Sequence, residues 1–159
     1  MSKSLVTYLD DHLSGAQIAI QVLQSMRDDH DDPRFRAFAA KLLPEIESDV
    51  GTLRLIAKEV GAGQSVIKQV GGRLLEKLAR LKLGNTGSTD LRTFESLELL
   101  LLGIHGKQCL WKALDTTSAS DARLCGYDFK QLCSRAEQQY AEVQTLRIDL
   151  AQTVLSPIG

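Results

Sequence analysis

The sequence predicts an all-α protein, a bundle of four long helices with an additional short amphipathic helix in the connection between the second and the third. Three observations carry the prediction. Four long stretches space their apolar residues alternately four and three apart, which keeps one stripe of each helix turned toward its partners. The composition is rich in Leu, Ala, Gln and Glu and has only three prolines, and strand-length runs of β-branched residues are missing. The connections are uneven: two are short, and the middle one runs to about 30 residues, a length an up-down bundle does not need.

The first helix is expected from about Ser4 to Arg27, with Leu5, Leu9, His12, Ala16, Ala19, Leu23 and Met26 along its seam. Tyr8, Gly15, Ile18 and Val22 widen that seam. The run Asp28, Asp29, His30, Asp31, Asp32 breaks the pattern. It lacks the glycine and closing Glu of a calcium-binding loop, and it reads as a solvated capping loop. Asp32 followed by Pro33 is a start signal, an N-cap and then a proline at the first helical position. The second helix then runs to about Val60 with Ala39, Leu43, Ile46, Val50, Leu53, Ala57 and Val60 facing inward, and Gly61 to Gly63 stop it. Pro44 inside it predicts a kink.

The additional helix is expected over residues 65–83. Its apolar stripe is Ile67, Val70, Leu74, Leu78 and Leu81; Lys68, Arg73, Lys77, Arg80 and Lys82 give the other face a positive charge opposed only by Glu76. After the polar loop Gly84 to Thr89, the third helix runs from about Leu91 to Leu114 with Phe94, Leu97, Leu101, Ile104 and Trp111 on its seam. Leu99, Leu100, Leu102 and Cys109 spread round its sides, so more than one neighbour is expected to cover it. The fourth helix is expected from about Asp121 to Leu155, lined by Phe129, Leu132, Ala136, Val143, Leu146, Leu150 and Val154.

A chain of 159 residues fits a single domain, 1–159, large enough for a core without staples. The formal net charge of −1 gives no global field to attract nucleic acid. Met1 to Ser4 lead into the first helix without a signal-peptide core, and Leu97 to Leu102 is too short to span a bilayer. Cys109, Cys125 and Cys133 form no close pair. Buried, reduced thiols and a cytoplasmic location are therefore expected.

The helix order, the long second-to-third connection, the acidic pattern Glu45-Ile46-Glu47-Ser48-Asp49 and the stretch Arg135-Ala136-Glu137-Gln138-Gln139-Tyr140 resemble the ferritin-like superfamily. The resemblance covers nearly the whole chain and implies a ferritin-like four-helix bundle. In members of that superfamily that bind two irons, the first and third helices each give a Glu, and the second and fourth each give a Glu-x-x-His. Here Glu45 is followed at the third place by Ser48, Glu47 by Val50 and Glu137 by Tyr140. The first helix has no acid between Asp11 and Asp28. A di-iron centre needs carboxylates and neutral imidazoles to balance its charge, whereas Ala16, Ile46, Val50, Leu101 and Val143 offer hydrocarbon.

The expectation is therefore a scaffold without a di-iron centre, non-catalytic, acting through self-association or a protein partner. The surplus apolar surface of the third helix points to a homodimer. The alternative is a metal-dependent or peroxide- and iron-handling protein using iron or manganese at a reduced site, with Asp49, Glu98, His105, Glu137 and Tyr140 as its candidates. Set against it, His12 and His105 are expected to make buried hydrogen bonds and the acids to lie at the rim. Membrane association through the basic helix 65–83 is a further reading, weakened by the absence of Trp and Phe to anchor in lipid.

Overall fold

The structure is a computed structural model that describes residues 3–62 and 89–156. It is an all-α bundle with no strand among the described residues: α1 (Lys3–Asp29), α2 (Pro33–Glu59), α3 (Thr89–Ser118) and α4 (Phe129–Leu155), with a one-turn 3-10 helix at Ala122–Leu124. The additional helix expected over 65–83 lies outside the described residues.

The ends of these helices follow from local chemistry. The Asp32 side chain accepts the Arg34 N–H at 2.8 Å, Pro33 occupies the first turn, and α2 starts there. At its other end Gly61 takes φ 78°, a left-handed conformation that glycine adopts without strain. The Gly61 N–H then reaches Lys58 O and the Ala62 N–H reaches Ala57 O, which occupies two of the last free carbonyls. Pro44 lies on the exposed face within the continuous helix α2.

The expected start of the fourth helix at Asp121 needs correction. Asp121 does cap, accepting the Arg123 N–H at 3.1 Å, but it caps only the 3-10 turn. Gly126 follows, and Asp128 caps again by accepting the Gln131 N–H at 3.0 Å, so α4 begins at Phe129. The third helix extends beyond the sequence-based bounds at both ends, from Thr89 to Ser118.

Two antiparallel hairpins, α1–α2 and α3–α4, make up the bundle, joined chiefly where α1 packs on α3. Ion pairs and hydrogen bonds fix the directions. Lys41 with Glu142, Glu45 with Gln139 and Asp49 with Arg135 set α2 antiparallel to α4. Glu98 with Arg147 and Lys112 with Glu137 do the same for α3 and α4. Helices α2 and α3 therefore run parallel, and Ala62 and Thr89 stand at opposite ends of the bundle. A helix of 27 residues such as α2 is about 40 Å long, so the chain between them has that distance to return.

The core runs the length of the bundle. Leu9, Leu23, Ala39, Ile56, Leu97, Trp111, Ala136 and Val143 are all fully or almost fully buried. Trp111 packs beside Phe129 with ring centroids 6.2 Å apart, which joins the end of α3 to the start of α4. At the opposite end, His30 links the α1–α2 turn to α3. Its Nδ1 accepts the Asp32 backbone N–H at 3.0 Å, which leaves Nε2 as the protonated nitrogen facing Thr93 Oγ1 at 2.8 Å. Thr93 Oγ1 in turn donates a hydrogen bond to Thr89 O at 2.9 Å. The expected capping loop is thus also a tie between the two hairpins.

The expected thiol burial is corrected. Cys109 and Cys125 are exposed and Cys133 is half-buried. Cys125 precedes α4, because the helix restarts after Gly126.

Candidate functional site

Each of three helices carries one polar residue in the middle of its buried stripe. On α2, Leu42, Ile46, Asp49, Leu53 and Ile56 follow the four-three spacing and are all buried. On α3, Leu100, Ile104, Trp111 and Leu114 follow it with Lys107 between Ile104 and Trp111. On α4, Leu132, Ala136, Gln139 and Val143 follow it. Helical periodicity therefore brings Asp49, Lys107 and Gln139 to one level of the bundle.

They form a closed network. Lys107 Nζ donates to Asp49 Oδ2 at 2.5 Å and also to Gln139 Oε1. Arg135 donates to the other Asp49 oxygen. Gln139 Nε2 donates to Glu45 Oε2 at 3.1 Å and lies 3.5 Å from Asp49 Oδ2. Asp49 is 1% exposed, the Lys107 side chain 14% and the Arg135 side chain 35%. Two carboxylates and two cations leave no excess charge, which buried ions require. Burial pushes the Lys107 amine below its ordinary value, although Asp49 pulls the other way.

The hydrocarbon-filled middle expected from the sequence is corrected by this network. Asp49 does not sit at the rim; it is the most buried acid on the inner face of α2. Of the other sequence-based candidates, Glu98, His105 and Glu137 lie on the outside and Tyr140 is half-buried against the core. Glu98 pairs with Arg147 at 3.0 Å, whose guanidinium lies 4.4 Å from the centre of the Phe94 ring. Glu137 pairs with Lys112 at 3.8 Å, and both are exposed. His105 is exposed, with Cys109 Sγ 3.8 Å from its Nε2 and the Tyr140 ring centre 6.4 Å away. His105 therefore does not make the buried hydrogen bond expected of it. Among the described residues, no group of three or more His, Cys, Asp and Glu side chains comes together in a way that can hold an ion.

Lys107, Arg135 and Gln139 were the residues that sequence reading passed over. For Lys107 and Gln139 the signal was a gap: the apolar seams jump from Ile104 to Trp111 and from Ala136 to Val143, each seven residues, two helical turns; Arg135 had no such signal. An interrupted seam on two helices at matching height marks a buried polar layer.

Beside the network lies a cavity of about 490 Å³, walled by α1, α2 and α3. Its walls are mostly apolar, with Ala16, Ala19, Ile46, Val50, Leu99 and Leu110 among them, and Tyr8, Asp11, His12, Asp49 and Lys107 bring polar groups. Burial lowers the affinity of His12 for a proton, with Asp11 opposing. The His12 ring packs edge-on to Tyr8 at 4.6 Å. Trp111 also lines the cavity; it is fully buried, and its indole nitrogen has no hydrogen-bond partner among the described residues. Ala16 and Ala19, expected as central seam residues, are only half-buried because their small side chains leave this space open.

Compared with family models, curated proteins and solved structures, the chain matches none of them. No helix among the described residues is long and apolar enough to cross a membrane.

Proposed function

We propose that this chain is a non-catalytic bundle of the ferritin-like type, in which an internal layer of fixed charges stands where a metal centre would need its ligands. It works by association, with a second copy of itself or with a protein partner. The parallel course of α2 and α3, with its long return connection, supports the ferritin-like reading. The observation that carries the non-catalytic reading is the engagement of Asp49. Both of its oxygens are taken by Lys107 and Arg135. A divalent cation at that level meets an ammonium and a guanidinium, which repel it, and lacks imidazole to complete its coordination.

Leu102 on α3, 60% exposed, is the apolar side chain through which association is tested. Sedimentation velocity on the whole chain over a wide concentration range tests the self-association reading. A concentration-dependent dimer that is weakened by Leu102→Glu supports it. A monomer at every concentration removes it. Metal analysis of the purified chain tests the other half: stoichiometric iron or manganese that is lost in Asp49→Ala would replace this reading with the metal-dependent one.

A further inference from the structure

We propose that His105 and Cys109 on α3 bind zinc, and that the same two side chains of a second copy complete the ion's coordination. The inference rests on the self-association reading above and names what closes that contact.

The pair faces straight out of the bundle. Lys107 points into the buried layer, and each residue along a helix turns the side chain by about 100°. His105 and Cys109 stand two residues to either side of Lys107, so each points about 160° away from it, opposite the core. Both are exposed. Four residues apart, they are neighbours on that outer face. Apart from their own contact, neither side chain makes a hydrogen bond among the described residues.

Their spacing suits a chelated ion. An ion about 2.3 Å from a thiolate sulfur and about 2.1 Å from an imidazole nitrogen, at the tetrahedral angle, holds those two atoms about 3.6 Å apart. Cys109 Sγ and His105 Nε2 are 3.8 Å apart. Thiolate and imidazole together favour zinc over magnesium, calcium and manganese, which prefer oxygen donors. The thiol gives its proton to solvent as the ion binds. The ammonium of Lys107 lies on the far side of the helix and does not oppose a cation here.

Two donors make half of a site, because structural zinc is held by four. The neighbouring acids are engaged, Glu98 by Arg147 and Glu137 by Lys112. Among the described residues no third His, Cys, Asp or Glu joins the pair. A twofold contact sets one surface patch against its own copy. Such a contact through α3 brings two histidines and two cysteines to one ion, a closed structural set.

The whole chain, stripped of metal by a chelator and kept reduced with a phosphine, is run in sedimentation velocity with and without zinc. Zinc should strengthen the dimer about tenfold or more, since it binds the paired form best. Calorimetry should give one ion for two chains. Cobalt in place of zinc should show a thiolate charge-transfer band and the intense visible bands of a tetrahedral site. His105→Gln and Cys109→Ser should each remove the zinc response and leave the melting temperature unchanged, because both side chains are exposed. Cys125→Ser and Cys133→Ser should keep the response. A dimer indifferent to zinc overturns this proposal and leaves the self-association reading standing. A monomer with and without zinc, or a monomer that holds one ion to itself, overturns both. A zinc response that persists in Cys109→Ser overturns the assignment of the ligands.

Discussion

Removing one member of the buried layer is predicted to cost far more than removing two. In Asp49→Leu, Lys107 loses its counter-ion while its side chain stays 86% buried, by difference from its 14% exposure. Breaking a buried pair from one side costs about 3–5 kcal/mol. The lower end applies here, because the Arg135 side chain is 35% exposed and can turn to water. In Lys107→Met, Asp49 keeps Arg135, and the expected loss is about 2 kcal/mol. In the double variant a leucine faces a methionine across the same level, Gln139 keeps Glu45 at 3.1 Å, and stability should return to within about 1 kcal/mol of the starting protein. The three measurements close a double-mutant cycle with a coupling of about 4 kcal/mol. Urea unfolding followed by helical circular dichroism reads each corner. Additive losses, with the double variant about 5 kcal/mol down, would show that the two side chains do not compensate each other and would refute the network.

Three further outcomes follow from the same structure. The folded His12 has a lower proton affinity than the unfolded one, whose ordinary value is 6.5; between the two values the unfolded chain binds more protons. Stability is therefore complete above pH 6.5 and falls as the solution is acidified through that window, and His12→Leu should flatten the slope in melts taken across it. Gly61→Ala puts a side chain on a residue at φ 78° and should cost about 1–2 kcal/mol in urea unfolding, whereas Gly103→Ala within α3 should not destabilise. Thr93→Val leaves His30 Nε2 without its partner at 2.8 Å and should cost about 1 kcal/mol, with faster amide exchange at the α1–α2 turn as the local sign.

The helices were legible because their signals are local. Asp32 with Pro33 announces a start within two residues, and Gly61 announces a stop. The apolar seam of α2 from Ala39 to Val60 is buried as its spacing requires. The start of α4 was misplaced because Asp121 and Asp128 carry the same capping signal, and only the intervening Gly126 hints that the first one fails. The central layer was harder, since its partners are far apart in sequence. Asp49 was singled out from the acidic pattern, but a carboxylate next to an apolar stripe reads equally as rim or core. What settles it is the second stripe of α2, Leu42, Ile46, Asp49, Leu53 and Ile56, which has the acid at its centre. Lys107 and Gln139 showed only as gaps in other seams. Glu98 and Glu137 drew attention as acids near a seam, yet helical rotation carries them to the surface, where Arg147 and Lys112 meet them. Pairs so exposed contribute little to stability.

The central claim is that a lysine ammonium, held by Asp49 and Gln139, stands in the middle of the bundle. Nitrogen-15 NMR of the lysine side chains at neutral pH tests it most directly. The prediction is one ammonium resonance protected from rapid exchange with water, absent in Lys107→Met and shifted in Asp49→Asn. Uniformly fast exchange at every lysine, or a protected signal that survives Lys107→Met, would contradict it.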